Sequence, residues 1–470
     1  MHNPDEQGTV PTLDERIESA IAEGIRRGQA EKSRRRGRVR RRIGGTAAAC
    51  VLLLACILSI RVSPVFAALV RDIPGMEKFV DLIRHTQDRG IQLALDNDFM
   101  QPVGVSDEHD GVKLTVQGII VDDSRMVLFY DVELPDREER VVFNRAELTD
   151  VAGKSLPVTI SYHYPQEADQ DIREEGVQRG TADFNLVQGV TFPDEVVLNV
   201  KLRRIALPDP SAPPEQRAGS VEIPSAEART AEGTEYTIPF KIDRARFAGL
   251  RSEYALNQTV DVEGQKVMFA KAVVTPLKVS LFLEYDSANP KQIFGPGDIR
   301  LVDDEGREWT NFLGNLDKNH PVYHFESPYF KETKELYVEG SWFRALDKDK
   351  LEVKVDTEKR KVLQSPDDKL ALHGVTSGRK YTKLDFSLSG VDEADTMLYS
   401  LFDQQFMDAD GTRHKAADLR EVTSGSAEGT GGREQHTLYY LDPKPYKQPL
   451  TFTVENYPQY IRQPYRIKVK

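Results

Sequence analysis

The sequence predicts an all-β body behind one membrane-crossing helix, and three observations carry that reading. From about Gln101 onward, apolar residues recur at every second position, in runs rich in Val, Ile and Tyr separated by short polar turns. That is the pattern of half-buried strands. A hydrophobic run followed by an acidic-Gly turn occurs three times. The copies are MVLFYDVE with ELTDVAGKSL, VSLFLEYD with RLVDDEGREW, and TMLYSLFD with FMDADGTRH. Ahead of them stands the only long uncharged apolar run of the chain, Ile43–Ile60.

The first 42 residues read as a cytoplasmic tag. A helix is expected from Thr12, placed as N-cap, with Glu15 three positions on completing a capping box. Leu13, Ile17, Ile21 and Ile25 then recur every fourth residue and form a narrow apolar stripe on a charged helix. So short a helix is marginal alone in water. Two readings stay open: it lies on the membrane surface, or it folds against a cytoplasmic partner.

Eight of the eleven residues from Lys32 to Arg42 are basic, among them Arg34, Arg35, Arg36, Arg38, Arg40, Arg41 and Arg42. The helix expected for residues 43–60 rises about 27 Å, enough for a hydrocarbon core of about 30 Å. Basic flanks stay on the cytoplasmic side. The expected topology is single-pass, with the N-terminus cytoplasmic and the C-terminal bulk extracellular; Cys50 and Cys56 both lie in the apolar run, and an exported part without cysteine suits a bacterial cell membrane. The alternative is a signal peptide, with Val65-Phe66-Ala67 making Ala67 the candidate cleavage position. The length of the apolar run and of its basic flank favours the uncleaved anchor.

Residues 61–100 read as a juxtamembrane stalk helix. Ile73, Met76, Phe79, Val80 and Ile83 share one face, Pro74 sits in the first turn, and Gly90 is expected at the end. Tandem antiparallel Ig-like β-sandwich modules are then expected at 101–250, 251–364 and 365–470. The clearest strands are the pair GVKLTVQGIIV and SRMVLFYDVEL around a turn at Asp122-Asp123-Ser124, then 176–186 and 195–207. The Pro/Ala/Glu-rich stretch 206–233 reads as a loop, and EYTIPFKID (235–243) as a strand returning to the first module.

Net charge is −12, and the first 42 residues carry 11 basic and 7 acidic side chains. The exported part is therefore acidic, which disfavours nucleic acid as a partner. Both cysteines, Cys50 and Cys56, lie in the apolar run. The exported part must therefore be held by burial without disulfides.

The chain carries no G-x-S-x-G elbow, P-loop or H-E-x-x-H, and no enzyme activity, cofactor or metal is expected. His320 and His324 are four apart, but a third ligand is missing from the window. Asp107-Glu108-His109-Asp110 reads as an exposed acidic loop before a strand, and Asp408–Gly411 as a hairpin turn rather than a calcium loop. The six C-terminal tyrosines, Tyr439 to Tyr465, read as strand packing.

The segments SPVFAALVRDIPGMEKFVDLIR and MQPVGVSDEHDGVKLTVQGIIVDDSRMVLFYDVE resemble the bacterial domain-of-unknown-function family 4179, from Ser63 to about residue 155. VEGQKVMFAKAVVTPLKVSLFLEYD, with VYHFESPYF and KELYVEG, is similar to a companion unknown-function domain, 5643, over about 256–354. The resemblance implies a single-pass membrane protein acting as an anti-sigma factor or its membrane co-regulator. The partners implied are a cytoplasmic sigma factor and an unidentified extracellular ligand. The chain departs from well-defined anti-sigma proteins in lacking a His-x-x-x-Cys-x-x-Cys signature. The expected function is thus a membrane signalling regulator with an exported sensing region. The alternative is a structural or ligand-binding cell-envelope protein without a cytoplasmic partner.

Overall fold

The computed structural model describes residues 88–163, 168–187, 189–207, 233–315, 317–331, 333–417 and 434–470. All belong to one unit, Lys78–Lys470. The tag helix, the basic cluster, the apolar run, Ala67 and the stalk up to residue 87 lie outside the described residues. Among the described residues no helix is long and apolar enough to cross a membrane.

The first module is built from β1 (Met100–His109), β2 (Val112–Val121), β3 (Arg125–Glu133), β4 (Glu139–Asp150), β5 (Val158–His163), β6 (Val177–Leu186), β7 (Glu195–Ala206) and β8 (Thr234–Lys241). One sheet has the order β1-β2-β3-β6-β5, the other β4-β7-β8, and all pairings are antiparallel. In β7, Val196, Leu198, Val200 and Leu202 are buried while their neighbours are half-exposed. That is the period-two burial the sequence predicted. The sheets are tied across the core by Phe143 of β4, which meets Tyr130 edge-on and stacks on Tyr162. Gln178 of β6 adds two bonds to the Val141 backbone. The acidic stretch from Asp107 corrects the sequence reading. Asp107 to His109 complete β1, and Asp107 accepts from the Thr237 amide of β8, so only Asp110-Gly111 form the turn.

The second module uses β9 (Ser252–Val262), β10 (Gln265–Val274), β11 (Val279–Tyr285), β12 (Lys291–Pro296), β13 (Arg300–Asp303), β14 (Glu308–Trp309), β15 (Asn311–Asn315), β16 (Val322–Phe325) and β17 (Leu336–Asp347). The third uses β18 (Glu352–Asp356), β19 (Lys361–Gln364), β20 (Leu370–Ser377), β21 (Thr382–Ser389), β22 (Phe402–Met407), β23 (Arg413–Lys415), β24 (Glu434–Leu441) and β25 (Leu450–Val454). The last strand, β26 (Tyr460–Lys468), does not belong to the third module. It pairs with β17, and its Ile461, Tyr465 and Ile467 enter the second module's core. Likewise β18 pairs with β25, and Val353 and Val355 enter the third module's core.

The sheets therefore divide the chain differently from the expected boundary at 364/365. The third module is an insertion between β17 and β26 of the second, not a successor in series. A strand signal identifies a strand but not its partner, so the sequence alone cannot distinguish nested modules from serial ones.

The repeat survives in hydrogen-bonding detail. Asp150, Asp303 and Asp408 each accept, through one carboxylate oxygen, the amides two and four positions on. In each case the amide of the glycine three positions on bonds back to the aspartate carbonyl. Gly153, Gly306 and Gly411 all adopt φ of 77–79°, a left-handed conformation that favours glycine. The strand ahead of the turn is β3 in the first module and β11 in the second. In the third, TMLYSLFD is a correction: Thr396–Leu401 lies outside any strand. By sheet order β21 takes that place, because β2-β3-β6, β10-β11-β16 and β20-β21-β24 are matching triplets.

Two substitutions test this turn. Asp303 is buried and also pairs with Arg307 at 2.9 Å, so Asp303→Ala is expected to cost about 2–3 kcal/mol through orphaned amides. Open space surrounds Gly306, so Gly306→Ala carries only the backbone term of about 1 kcal/mol. Urea unfolding midpoints should rank the two in that order.

Candidate functional site

Among the described residues, the buried polar side chains of Asp122, Arg125, Thr275, Lys278, Glu326 and Ser327 gather where the first module, the second module and a short helix meet. The helix is α1 (Arg89–Asp96), capped by Asp88, whose carboxylate accepts from the Ile91 amide. This corrects the expected stalk end. Gly90 lies in the first turn of a helix rather than at its terminus. It is needed there because a Cβ would stand 2.8 Å from the Ser327 amide nitrogen.

Two hairpin tips face each other beside this cap. One is the β2–β3 turn, where Asp122 accepts from the amides of Ser124 and Arg125. The other is the β10–β11 turn, where the Thr275 hydroxyl donates to the Lys278 carbonyl. Asp122 reaches across to the Leu277 amide at 3.0 Å. Arg125 crosses the other way and donates to the Leu277 carbonyl at 2.9 Å. Arg125 is only 3% exposed. It grips Asp183 through Nε and Nη2, pairs with Asp88 at 2.8 Å, and lies over the Phe312 ring. One side chain thus joins the helix cap, the first module and the second.

The neighbouring residues repeat the theme. Arg89 donates from its backbone and its side chain to Glu326, a buried carboxylate that also accepts from the Thr310 amide. Ser327 donates to the Thr275 carbonyl at 2.5 Å. Lys278 reaches the Ser124 carbonyl and Asn185. Burial pushes its ammonium down to about 8, opposed by Asp122 and Asp183. Below that pH a buried cation must be held by these partners alone. His324 shares a hydrogen bond with the Ser280 hydroxyl at 3.0 Å. Burial first, then the cations of Lys278 and Arg125, push its ring down to about 3.

Of the residues singled out from sequence, His324 enters this cluster and His320 does not. His320 lies outside β16, exposed beside Asp317. Tyr439, Tyr457 and Tyr465 are buried in strand cores. Leu13, Ile17, Ile21, Ile25 and the arginines from Arg34 to Arg42 lie outside the described residues. Sequence reading missed Arg125, Lys278 and Glu326. The available signal was a cation abutting the apolar run at the same hairpin tip of two repeats, in DDSRMVLFYD and TPLKVSLFLEYD.

Residues 36–134 match the family model described as Domain of unknown function (DUF4179), and residues 251–365 match Family of unknown function (DUF5643). The second match ends before β26 returns to its sheet. No curated protein matches the chain. The crystal structure of the conserved domain protein from Bacillus anthracis is similar at 13% identity and a TM-score of 0.35, over 56% of this chain and 84% of that one.

Arg125→Gln is expected to cost about 3–5 kcal/mol, because it leaves Asp183 and Asp88 crowded without their cation. The drop in unfolding midpoint measures it. His324 gives a pH test. The unfolded ring takes a proton near pH 6.5 that the folded ring refuses until about 3. Its contribution to stability is therefore complete above about pH 6.5 and is lost as pH falls through that window. His324→Gln should flatten the acid slope of the melting temperature between pH 6.5 and 4.

Proposed function

We propose that this protein is a single-pass membrane signalling regulator of the anti-sigma type, or the membrane co-regulator of such a factor. Its exported part would be Ig-like sandwich modules that sense the envelope or a ligand. Its cytoplasmic helix would hold the sigma factor through Leu13, Ile17, Ile21 and Ile25. The apolar run would cross the bacterial membrane, with the arginines before it fixing the N-terminus inside.

The observation that carries this reading is the clamp at Asp88. The chain is held there in consecutive residues by both modules: Asp88 on Arg125, and Arg89 on Glu326. A ligand that altered the contact between the modules would alter the grip on the segment leading to the membrane. Supporting it are the basic-flanked apolar run, the amphipathic tag, and the match to DUF4179, a family typically found in anti-sigma-factor-like membrane proteins.

The test is a crosslinked pull-down of the intact protein from its native cell. Recovery of a sigma factor with wild type, and its loss with Ile17→Asp/Ile21→Asp at equal membrane abundance, is the expected result. Equal recovery from both would remove the tag from the mechanism. No cytoplasmic protein from either would favour an envelope-structural role.

A further inference from the structure

The buried arginines among the described residues come with carboxylates: Arg125 with Asp183 and Asp88, Arg179 with Asp171 and Glu175, Arg344 with Asp395. Lys278, at the tip of the β10–β11 hairpin, does not. It is as buried as Arg125, and its ammonium makes two hydrogen bonds. One goes to the Ser124 carbonyl at 3.4 Å, the other to the Asn185 side-chain oxygen at 3.3 Å. Both bonds are long, both acceptors are neutral, and both belong to the first module. Among the described residues no carboxylate forms an ion pair with Lys278.

The charges that face Lys278 are engaged elsewhere. Asp122, from the β2–β3 turn, holds the amides of Ser124, Arg125 and Leu277. Asp183 of β6 holds the Arg125 fork and accepts from the Asn185 amide group, which turns the Asn185 oxygen toward Lys278. Arg125 of β3 is a second cation beside it, and His324 of β16 stays neutral above about pH 3. A buried ammonium with long, neutral contacts is disfavoured. The uncharged amine fits the same place better, because its two N–H groups match its two acceptors.

We propose that Lys278 makes the junction of the first and second modules a sensor of external pH, which closes on the neutral amine and loosens when the amine takes up a proton. The proton is then the ligand that the exported part reads. Its consequence at the membrane rests on the regulator reading, because the same junction holds Asp88 and Arg89. The direction follows from linkage. Burial, opposed by Asp122, lets the closed junction keep the proton only up to about pH 8, whereas a lysine in water keeps it to 10.5. Closure is therefore favoured as pH rises from about 8 toward 10.5, and that gain is lost as pH falls back through the same window.

The experiment is an NMR titration of the full-length protein in detergent, with its lysines carbon-13 labelled at Cε. The Lys278 signal, identified by its loss in Lys278→Met, should titrate near pH 8 while exposed lysines titrate near 10.5. Asn185→Asp keeps the lysine and sets a carboxylate against it, so its midpoint should move above about pH 9. Exchange of the Leu277 amide, corrected for its chemical rate, reads the junction itself. Its protection should rise about tenfold more between pH 7 and 9 in wild type than in Lys278→Met. A Lys278 signal that titrates with the exposed lysines, or protection that rises equally in both proteins, would overturn the proposal. Either result leaves the sigma-factor pull-down unaffected. A pull-down that fails while the titration holds removes the regulator reading and not the sensor.

Discussion

Arg125 is the group on which the described architecture most depends. It is a fully desolvated cation, and such a charge is tolerable only when its partners are all in place. Asp183 supplies them from its own sheet, Asp88 from the helix cap, and the Leu277 carbonyl from the second module. Because the guanidinium is planar and forked, it can satisfy these at once, which a lysine cannot. The two modules and the helix are therefore fixed by one set of bond directions, not by apolar contact alone. Asp122 strengthens the same contact from the opposite side, through the Leu277 amide.

The boundary between the second and third modules is built on the same plan. Arg344 of β17 grips Asp395 through its fork, donates to the Pro296 carbonyl at 3.0 Å and lies beside Trp342. Tyr399 and Tyr460 donate to the same carboxylate. Each boundary thus has a buried arginine, a bidentate aspartate, a backbone carbonyl and an aromatic ring; the Leu277 carbonyl lies across the first boundary, and the Asp395 carboxylate across the second. Apolar surfaces can slide with little change in energy, whereas a buried fork has one geometry. Such a device defines relative position. It also makes a boundary respond in an all-or-none way if it is released. This is the property the proposed signalling role needs at Asp88.

The strands were legible because strand formation here is a local matter. The β2–β3 hairpin and its Asp122-Asp123-Ser124 turn follow from alternating apolar residues and turn chemistry within 25 residues of chain. The Asp-x-x-Gly turns were legible for the same reason, since every bond in them is made within five residues. Arg125, Lys278 and Glu326 were not legible as a group. A charged side chain at a hairpin tip is ordinarily solvated, and nothing local says that another hairpin will cover it.

The sequence by itself determined the fold class, most of the strands and the repeated turn. It also carries the contrast between a basic, apolar N-terminal segment and an acidic β-rich remainder. The tertiary structure alone decided that β26 returns to β17 and so nests the third module within the second. It decided that Gly90 sits inside a helix pressed on Ser327. It also decided that Arg89 finds its carboxylate 237 positions away. The reason is one of range. Periodicity and turn preference act over a few residues and leave a trace in composition. Strand partnership and buried ion pairs are chosen by which surfaces exclude water together, and that choice is made only when the whole chain has closed.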